Sequence, residues 1–265
     1  MTRILFLGDV CGEAGRRAVS LLIPALRSEL KIDFVIVNAE NAAGGYGITR
    51  RLAEEILSAG ANCLTTGDHA FDRKESWDFL STEPRILRPL NLPATAPGRG
   101  WGIYQLPNHP RPLVVINLLG RVFMKPADCP FQRVKQALAE IAPVNAVTVV
   151  DFHAEATAEK QALGYFLDGK VSAVIGTHTH IQTADERILP QGTAFIADVG
   201  MCGAFDSILG MDKELSLRRM VELVPVRLQP ATGDIRINGV VLDIDTATGQ
   251  AQKIVRLNRP LTVSP

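Results

Sequence analysis

Two histidines separated by one residue are the first feature of this sequence that could do chemistry. The segment GTHTH, residues 176–180, follows the apolar run VSAVI, which is typical of a buried strand. Alternate side chains of an extended chain share a face, so His178 and His180 are expected to point the same way. Imidazole nitrogens are common metal ligands, and the pair is therefore a candidate for half of a metal site.

Other side chains that can bind metal stand at the ends of further apolar runs. The chain has five histidines, and all except His109 follow such a run. The candidate positions are Asp9, Glu40 with Asn41, Asp68 with His69, His153, and the pair His178 and His180. In open α/β sheets, ligands bind beyond the carboxyl ends of the strands, where these side chains would meet. Each position alone has an ordinary explanation, such as a helix cap at Asp9, but one metal centre explains them together.

The number and type of these side chains indicate two metal ions. Three histidines, two aspartates, a glutamate and an asparagine exceed what one tetrahedral zinc ion takes. Mixed imidazole and carboxylate ligation suits iron, manganese or zinc. Two ions about 3.5–4 Å apart can hold the attacking and leaving oxygens in the hydrolysis of a phosphoester.

The elements that must position these side chains alternate between strands and helices. Strands are predicted in ILFLGDV, DFVIVNAEN, NCLTTGDH, NAVTVVDFH and VSAVIGTHTH, and helices over 12–30, 48–60 and 154–169. This alternation favours a mainly parallel sheet covered on both faces. Two strands within 100–120 are expected to be joined by a turn at Pro107–Pro112. The tail segments VELVPVRLQP, DIRINGVVLDIDTATG and QAQKIVRLN alternate apolar and polar residues, which predicts an antiparallel portion.

Length and composition favour one domain spanning residues 1–265, with 46% hydrophobic residues to form its core. Lysine plus arginine equals aspartate plus glutamate, at 28 each, so no net charge draws the chain to nucleic acid or membrane. No apolar stretch approaches the roughly 20 residues of a membrane span, and none resembles a signal peptide. Four scattered cysteines argue against a disulfide framework. We therefore expect a cytoplasmic protein with reduced thiols and no membrane partner.

The motifs resemble those of the calcineurin-like metallophosphoesterases, because GDV, NAEN, GDH, DFH and GTHTH occur in that order. The longer segments GDVCGEAGRR, NAENAAGGYGIT, DFHAEATAEK, GTHTHIQTAD and ILGMD are similar to one bacterial branch, the YmdB-like phosphodiesterases. This resemblance spans nearly the whole chain. It implies an α/β metallophosphoesterase-type layered sandwich, with mainly parallel central strands, helices outside and a C-terminal antiparallel portion.

The resemblance also implies a role for each candidate residue. The implied ligands are Asp9, Asn41 and His180 for one ion, Asp68, His153 and His178 for the other, and Glu40 bridging both. His69 would be the general acid that protonates the leaving alkoxide. The centre is expected to hold two iron ions, with manganese or zinc as alternatives. The expected reaction is hydrolysis of 2′,3′-cyclic nucleotides, or related cyclic phosphodiesters, through a hydroxide that bridges the two ions.

Two positions depart from the superfamily pattern. Val10 and Cys11 leave no histidine two residues after Asp9, so Asn41 would have to fill that ligand position. The YmdB-like branch shares this feature. Particular to this chain is Asp68, which stands where the usual motif has asparagine. Its negative charge would strengthen ion binding but offset part of the ions' attraction for phosphate. This predicts a retained metal site with an altered rate or metal preference.

Two other functions remain open from the sequence. The same metals could serve a phosphomonoesterase of broad specificity. A regulatory or RNA-binding protein with a weakly active metal site is a different class, and the pairs Arg16-Arg17 and Arg50-Arg51 are its only candidate basic patch. A homo-oligomer is also expected, because a C-terminal antiparallel sheet would offer an edge for self-association.

Several residues near the motifs have either a functional or a structural explanation. Thr177, Thr179 and Thr183 are candidates for hydrogen bonds to phosphate or to metal ligands, or for bonds to the loop backbone. Glu155 and Thr157 follow His153 and could cap their helix. The loop AAGGYGIT either lets the backbone approach the substrate or forms an ordinary turn.

Overall fold

The computed structural model describes residues 1–106 and 109–262. The turn predicted at Pro107–Pro112 therefore lies partly outside the described residues. The helices are α1 (Gly12–Leu30), α2 (Arg50–Ser58), α3 (Ser76–Thr82), α4 (Pro130–Ile141), α5 (Thr157–Leu167) and α6 (Lys213–Glu222), with a short 3-10 helix at Ala142–Val144. The strands in the first half of the chain are β1 (Thr2–Leu7), β2 (Asp9–Val10), β3 (Phe34–Asn38), β4 (Cys63–Thr65), β5 (Ile86–Leu87), β6 (Trp101–Tyr104) and β7 (Leu113–Leu119). Those in the second half are β8 (Val147–His153), β9 (Ala173–Thr177), β10 (Arg187–Ile188), β11 (Ala194–Ile196), β12 (Met201–Ala204), β13 (Ile235–Ile244) and β14 (Ala251–Pro260).

The strands form two mixed sheets whose centres are parallel. The first sheet has the order β2-β12-β13-β1-β3-β4-β5, with β14 pairing β13. Within it β1, β3, β4 and β5 are parallel neighbours, and β13 runs antiparallel to β1, β12 and β14. The second sheet has the order β10-β11-β9-β8-β7-β6, and β11, β9, β8 and β7 are parallel. Parallel pairing places the carboxyl ends of β3 and β4 side by side in one sheet and those of β8 and β9 side by side in the other. The packing of the two sheets then brings both pairs of ends to one region.

The two sheets pack face to face with helices on their outer faces. In β1, Ile4 and Phe6 enter the core between the sheets, whereas Leu5 and Leu7 face α1 and α2. This is the period-two alternation of a strand buried on both sides. Helices α4 and α5 cover the second sheet through a third buried cluster. The layered sandwich predicted from the sequence is confirmed.

The tail departs from the prediction in one segment. The strands expected in DIRINGVVLDIDTATG and QAQKIVRLN are β13 and β14, but VELVPVRLQP forms no strand. Its first residues end α6, and Leu223 takes a left-handed conformation with φ of 56°. Pro225 and Pro230 have no N–H to give to a ladder, which disfavours strand pairing despite the apolar alternation.

Strand β14 forms an edge of the first sheet. Among the described residues it pairs with β13 only, so the edge expected from the sequence exists. Self-association through that edge stays a prediction. Across the described ranges, every helix is too short or too polar to span a bilayer.

Candidate metal centre

The carboxyl ends of four strands bring acidic and imidazole side chains together. Glu40 follows β3, Asp68 follows β4, His153 ends β8 and His178 follows β9. Each offers one ligand atom, and these atoms all lie within 4.8 Å of one another. The predicted meeting of these strand ends is found, but at the adjoining edges of two sheets and not at one edge of a single sheet.

His153 lies at the middle of this cluster and is fully buried. Its Nε2 is 3.0 Å from Glu40 Oε1 and 3.4 Å from Asp68 Oδ1. The Nδ1 of His178 is 3.0 Å from the same His153 nitrogen. Together these four side chains could hold a metal ion.

Asp9, Asn41 and His180 form an adjoining group. His180 Nε2 is 3.3 Å from Asn41 Oδ1, and Asp9 Oδ1 is 3.7 Å from His153 Nδ1. Asp9 Oδ2 accepts a hydrogen bond from the backbone N–H of His178, at 3.1 Å. All seven residues suggested as ligands thus lie in one connected region. Asp9 does not cap α1, which begins after Cys11 without a side-chain cap.

Hydrogen bonds on the far side of each imidazole determine which nitrogen faces the cluster. His180 Nδ1 is 3.0 Å from the carbonyl of Leu209, which can only accept, so Nδ1 donates and Nε2 keeps its lone pair. His178 Nε2 is 3.2 Å from a Glu155 carboxylate oxygen, which leaves Nδ1 for the cluster. His153 Nδ1 is 2.9 Å from Thr177 Oγ1, whose hydroxyl donates to Asp151 at 2.7 Å. This arrangement of carboxylates and hydroxyls behind ligand imidazoles is usual in metal sites.

The inward-facing atoms fit a metal centre. Three imidazole lone pairs and the oxygens of Asp9, Glu40 and Asp68 converge, and all of them are acceptors. Asp9 Oδ1 and Asp68 Oδ1 are buried and lack a hydrogen-bond partner within the described chain. Buried acceptors without donors are costly, and a cation would satisfy them. The set of ligands contains no thiolate, which argues against a purely structural zinc site. Imidazole and carboxylate ligands together suit iron, manganese or zinc.

The ionisable groups also favour a positive charge here. Burial lowers the pKa of His153, but the charge of Glu40 and hydrogen bonds with Asp68 and Glu40 outweigh it and raise this pKa well above its ordinary value. Burial raises the pKa of Asp9 to about 7, and burial beside His153 lowers the pKa of His178 to about 4. A metal ion and a proton on His153 therefore compete for the same acceptors.

Local geometry explains why these residues reach the cluster. A Cβ atom at Gly67 would collide with Glu40 and His153, so only glycine lets the chain pass beneath them. The buried Asn38 accepts from the N–H of Glu40 at 3.1 Å and donates to Asp151 of the second sheet at 3.0 Å. Asn38 thereby sets the turn at Glu40 and joins the two sheets behind the metal site.

Only Gly176 and Thr177 of the GTHTH segment belong to a strand, and both histidines lie in the loop that follows it. Strand β9 ends at Thr177, and His178 and His180 have φ angles of 100° and 66°. The expectation that extended geometry aligns the two histidines is therefore wrong, although both side chains line the same cleft. Two left-handed residues, which are uncommon outside glycine, turn one imidazole toward each ligand group.

A buried ion pair holds this loop. Lys160 of α5 is only 2% exposed, and its Nζ lies 2.7 Å from Asp198 Oδ2. The same carboxylate oxygen accepts from the N–H and the hydroxyl of Thr179, at 2.9 and 2.7 Å. Thr183 exchanges further hydrogen bonds with Asp198. Thr179 and Thr183 thus fix the loop, whereas Thr177 supports His153.

His69 lies beside the cluster but outside the set of converging ligand atoms. Its Nδ1 donates to Asp72 Oδ2 at 2.6 Å, which leaves Nε2 free of that bond. The ring of Tyr46 packs edge-on against it, with centroids 5.1 Å apart. His69 and Tyr46 both line the cleft above Glu40. The position suits a proton donor that contacts substrate and not metal.

Lys125 is a residue of the site that sequence reasoning missed. Its Nζ donates to the carbonyl oxygen of Asp68 at 2.6 Å and lies 3.5 Å from Asp68 Oδ2 and 3.6 Å from Asp72 Oδ1. Asp68 thus turns one oxygen to His153 and the other to Lys125. Lys125 belongs to a loop after β7 with no motif, so only the folded chain brings it there.

The remaining candidates have structural roles. Glu155 pairs with His178, and α5 begins after Ala156 without a side-chain cap, so the helix-cap explanation of Glu155 and Thr157 is wrong. Gly44, Gly45 and Gly47 of the glycine-rich loop all have positive φ. Arg73 donates to the Tyr46 carbonyl at 2.9 Å and to the Ala43 carbonyl, which holds this loop in a defined turn beside the cleft.

Three of the four arginines in the suggested basic patch lie near acidic residues. Arg16 lies 3.6 Å from Glu55, and Arg51 lies 3.9 Å from the same carboxylate. Arg50 lies 3.9 Å from Glu54. These two glutamates offset part of the positive charge of the four arginines, which weakens the case for RNA binding.

Comparison with known proteins identifies the family of this chain. The model of the YmdB-like protein family matches residues 5–257 of the chain. The chain belongs to this family. A relative from Bacillus subtilis, named 2′,3′-cyclic-nucleotide 2′-phosphodiesterase, is 48% identical over 255 residues, which cover 96% of each chain.

Solved structures place the YmdB-like chain among phosphoesterase folds. A crystal structure described as a novel phosphatase from Mycoplasma pneumoniae has a TM-score of 0.92 and 33% identity, covering 98% of this chain and 93% of that one. The 5′-nucleotidase of Candida albicans has a TM-score of 0.54 at 10% identity, covering 97% of this chain and 50% of that one. The second likeness concerns the fold alone.

Replacing Asp68 with asparagine tests the residue that distinguishes this YmdB-like chain from the usual motif. The amide keeps an oxygen toward His153 but removes a negative charge and leaves Lys125 without that partner. We expect D68N to bind metal about tenfold more weakly, because a carboxylate attracts a cation more strongly than an amide does. We also expect a lower KM for an anionic phosphodiester. Metal titration and steady-state kinetics measure both quantities. Metal affinity and kinetics equal to wild type would refute a role for the Asp68 charge. K125M is the control, because it removes the positive charge beside Asp68 and keeps the carboxylate.

Proposed function

We propose that this protein is a metal-dependent phosphodiesterase that hydrolyses 2′,3′-cyclic nucleotides. The observation that carries the proposal is the convergence of Glu40, Asp68, His153 and His178, whose ligand atoms all lie within 4.8 Å of one another. The name of the Bacillus subtilis relative supports the substrate class and the cleavage of the bond to O2′.

We assign the ligands to two ions, which would be iron, with manganese or zinc as alternatives. The residues that would hold them are Asp9, Asn41 and His180 for one, Asp68, His153 and His178 for the other, with Glu40 between them. When bound, the ions would stabilise charge on the phosphoryl oxygens and make a water molecule more acidic.

The residues of this chain supply the proton and the orientation. In the hydrolysis, an oxygen from water bonds to phosphorus while the bond from phosphorus to O2′ breaks. His69, as an imidazolium whose Nδ1–H is held by Asp72, would donate its Nε2 proton to that leaving oxygen. The proton that the attacking water loses would restore this imidazolium. The product is a nucleoside 3′-phosphate. No covalent intermediate with the protein is required.

A substrate panel tests the reaction class. The metal-loaded protein is incubated with 2′,3′-cyclic AMP, 3′,5′-cyclic AMP and 3′-AMP, and the products are separated by chromatography. We expect 2′,3′-cyclic AMP to give 3′-AMP without release of inorganic phosphate. Phosphate release from 3′-AMP with no ring opening would contradict the proposal and favour a phosphomonoesterase.

A further inference from the structure

The cleft at the metal centre continues well beyond the cluster. It has a volume of about 530 Å³, which lies within the range of about 300–1,000 Å³ typical of small-molecule sites. It is lined by Glu40, His178 and His180 of the metal centre. It is also lined by a largely apolar wall, which is formed by Tyr46, Ile208, Leu209, Met211, Met220 and Leu228. A phosphoryl group at the metal centre would fill only part of this volume.

Two polar residues of α6 line this wall. Ser216 is 3% exposed, and its hydroxyl is buried without a hydrogen-bond partner among the described residues. Arg219 also lines the cleft and makes no ion pair within the part of the chain that the structure describes. A buried hydroxyl without a partner is costly, and a ligand with polar edges would satisfy it.

The apolar wall is attached to a metal ligand. The carbonyl of Leu209 accepts from His180 Nδ1 at 3.0 Å, and Met211 is buried two residues later. Asp212 then caps α6 by accepting from the N–H of Leu215 at 2.9 Å. The position of Ser216 and Met220 is therefore coupled to that of His180. A molecule held by the metal centre would therefore meet the apolar wall in a fixed position.

Flat apolar contact combined with a few polar groups is what a nucleobase requires. Met220 is 63% exposed beside the cleft, and a polarizable thioether packs well on an aromatic ring. Tyr46 offers an aromatic face or edge on the same cleft. Ser216 and Arg219 can donate to ring nitrogens or carbonyl oxygens of a base.

We propose that this wall is a nucleobase subsite, so that the enzyme selects nucleoside cyclic phosphates over cyclic phosphates that lack a base. The inference rests on the proposed function and names a substrate determinant within the same cleft. The residues of the metal centre act on the phosphate, and the residues of α6 determine the preference for a nucleoside.

The experiment compares two substrates that share a five-membered cyclic phosphate. These are 2′,3′-cyclic AMP, which carries a base, and glycerol 1,2-cyclic phosphate, which does not. For M220A and S216A we expect kcat/KM to fall about tenfold on the nucleotide and much less on the glycerol ester, as for the loss of one apolar or hydrogen-bonding contact. V221A is the matched control, because Val221 is the neighbouring residue of α6, is 77% exposed and does not line the cleft.

A second measurement does not depend on turnover. Saturation-transfer NMR with adenosine reports base binding on protein stripped of metal. We expect a signal for wild type and V221A that weakens in M220A and S216A. Equal losses on both substrates, or unchanged adenosine signals, would overturn the subsite.

Two further outcomes separate the proposals from each other. If metal-loaded wild type hydrolyses neither ester, the proposed function fails, whereas adenosine binding still decides the subsite. If M220A changes only the molecular mass in solution, the exposed apolar face of α6 is a contact between copies, and the subsite is rejected.

Discussion

Replacing His153 with alanine is expected to reduce the bound metal to one ion per chain or fewer and to abolish most turnover. His153 is fully buried, and its Nε2 faces Glu40, Asp68 and His178 at 3.0 to 3.4 Å. Its removal takes away the nitrogen around which the cluster is arranged. Metal ions supply several kcal/mol of charge stabilisation in such reactions, so a loss of about 10³-fold in kcat is expected.

The measurement is metal analysis by mass spectrometry alongside hydrolysis of 2′,3′-cyclic AMP. His109 gives the matched control, because it lies near Asp33 at the amino end of β3, opposite the cluster. H109A should keep both metal and turnover. Because His153 lies in the core, H178A serves as a second variant whose side chain is partly exposed at the cleft. H178A should also lose one ion, and two ions per folded chain in either H153A or H178A would refute the assigned ligands.

Replacing His69 with alanine is expected to lower kcat by about 10²–10⁴-fold while both ions are retained, which is the usual range for loss of a general acid. His69 contacts Asp72 through Nδ1, and the four converging ligand atoms come from other side chains. Its loss therefore removes a proton donor without removing a ligand.

The choice of leaving group separates this role from a structural one. The alkoxide that leaves from 2′,3′-cyclic AMP needs a proton, whereas the nitrophenolate that leaves from bis(p-nitrophenyl) phosphate does not. H69A should therefore lose far more activity on the cyclic nucleotide than on the aryl ester. Equal losses on the two substrates, or loss of metal, would show that His69 supports the site in another way. A variant as active as wild type would exclude the assignment altogether.

The sequence predicted the parts of the site that depend on local pattern. Apolar runs followed by polar residues located the ends of β3, β4, β8 and β9, because a buried parallel strand must be apolar up to its tip. Helix α2 begins after Thr49, whose hydroxyl accepts from the N–H of Leu52 at 3.4 Å, as its capping residue type predicts. Positions 12–30 form α1 over the predicted range.

The rest depends on contacts between distant segments, which no pattern reveals. Lys125 contacts Asp68, which lies 57 positions earlier in the sequence. Ser216 reaches the cleft because Asp212, directly after Met211, caps the start of α6. The left-handed backbone conformation of His178 and His180 also could not be predicted from the apolar run before them. Their conformation depends on the buried pair of Lys160 and Asp198 beneath the loop.

We propose that this chain holds a two-ion centre that is required for phosphodiester hydrolysis. The most direct test is a stoichiometric titration of chelator-treated protein with Mn²⁺, in which bound metal and hydrolysis of 2′,3′-cyclic AMP are followed in the same samples. We predict that metal binding saturates near two ions per chain and that turnover rises to its maximum as the second ion binds. Saturation at one ion with full turnover, or turnover that persists without metal, would contradict the account.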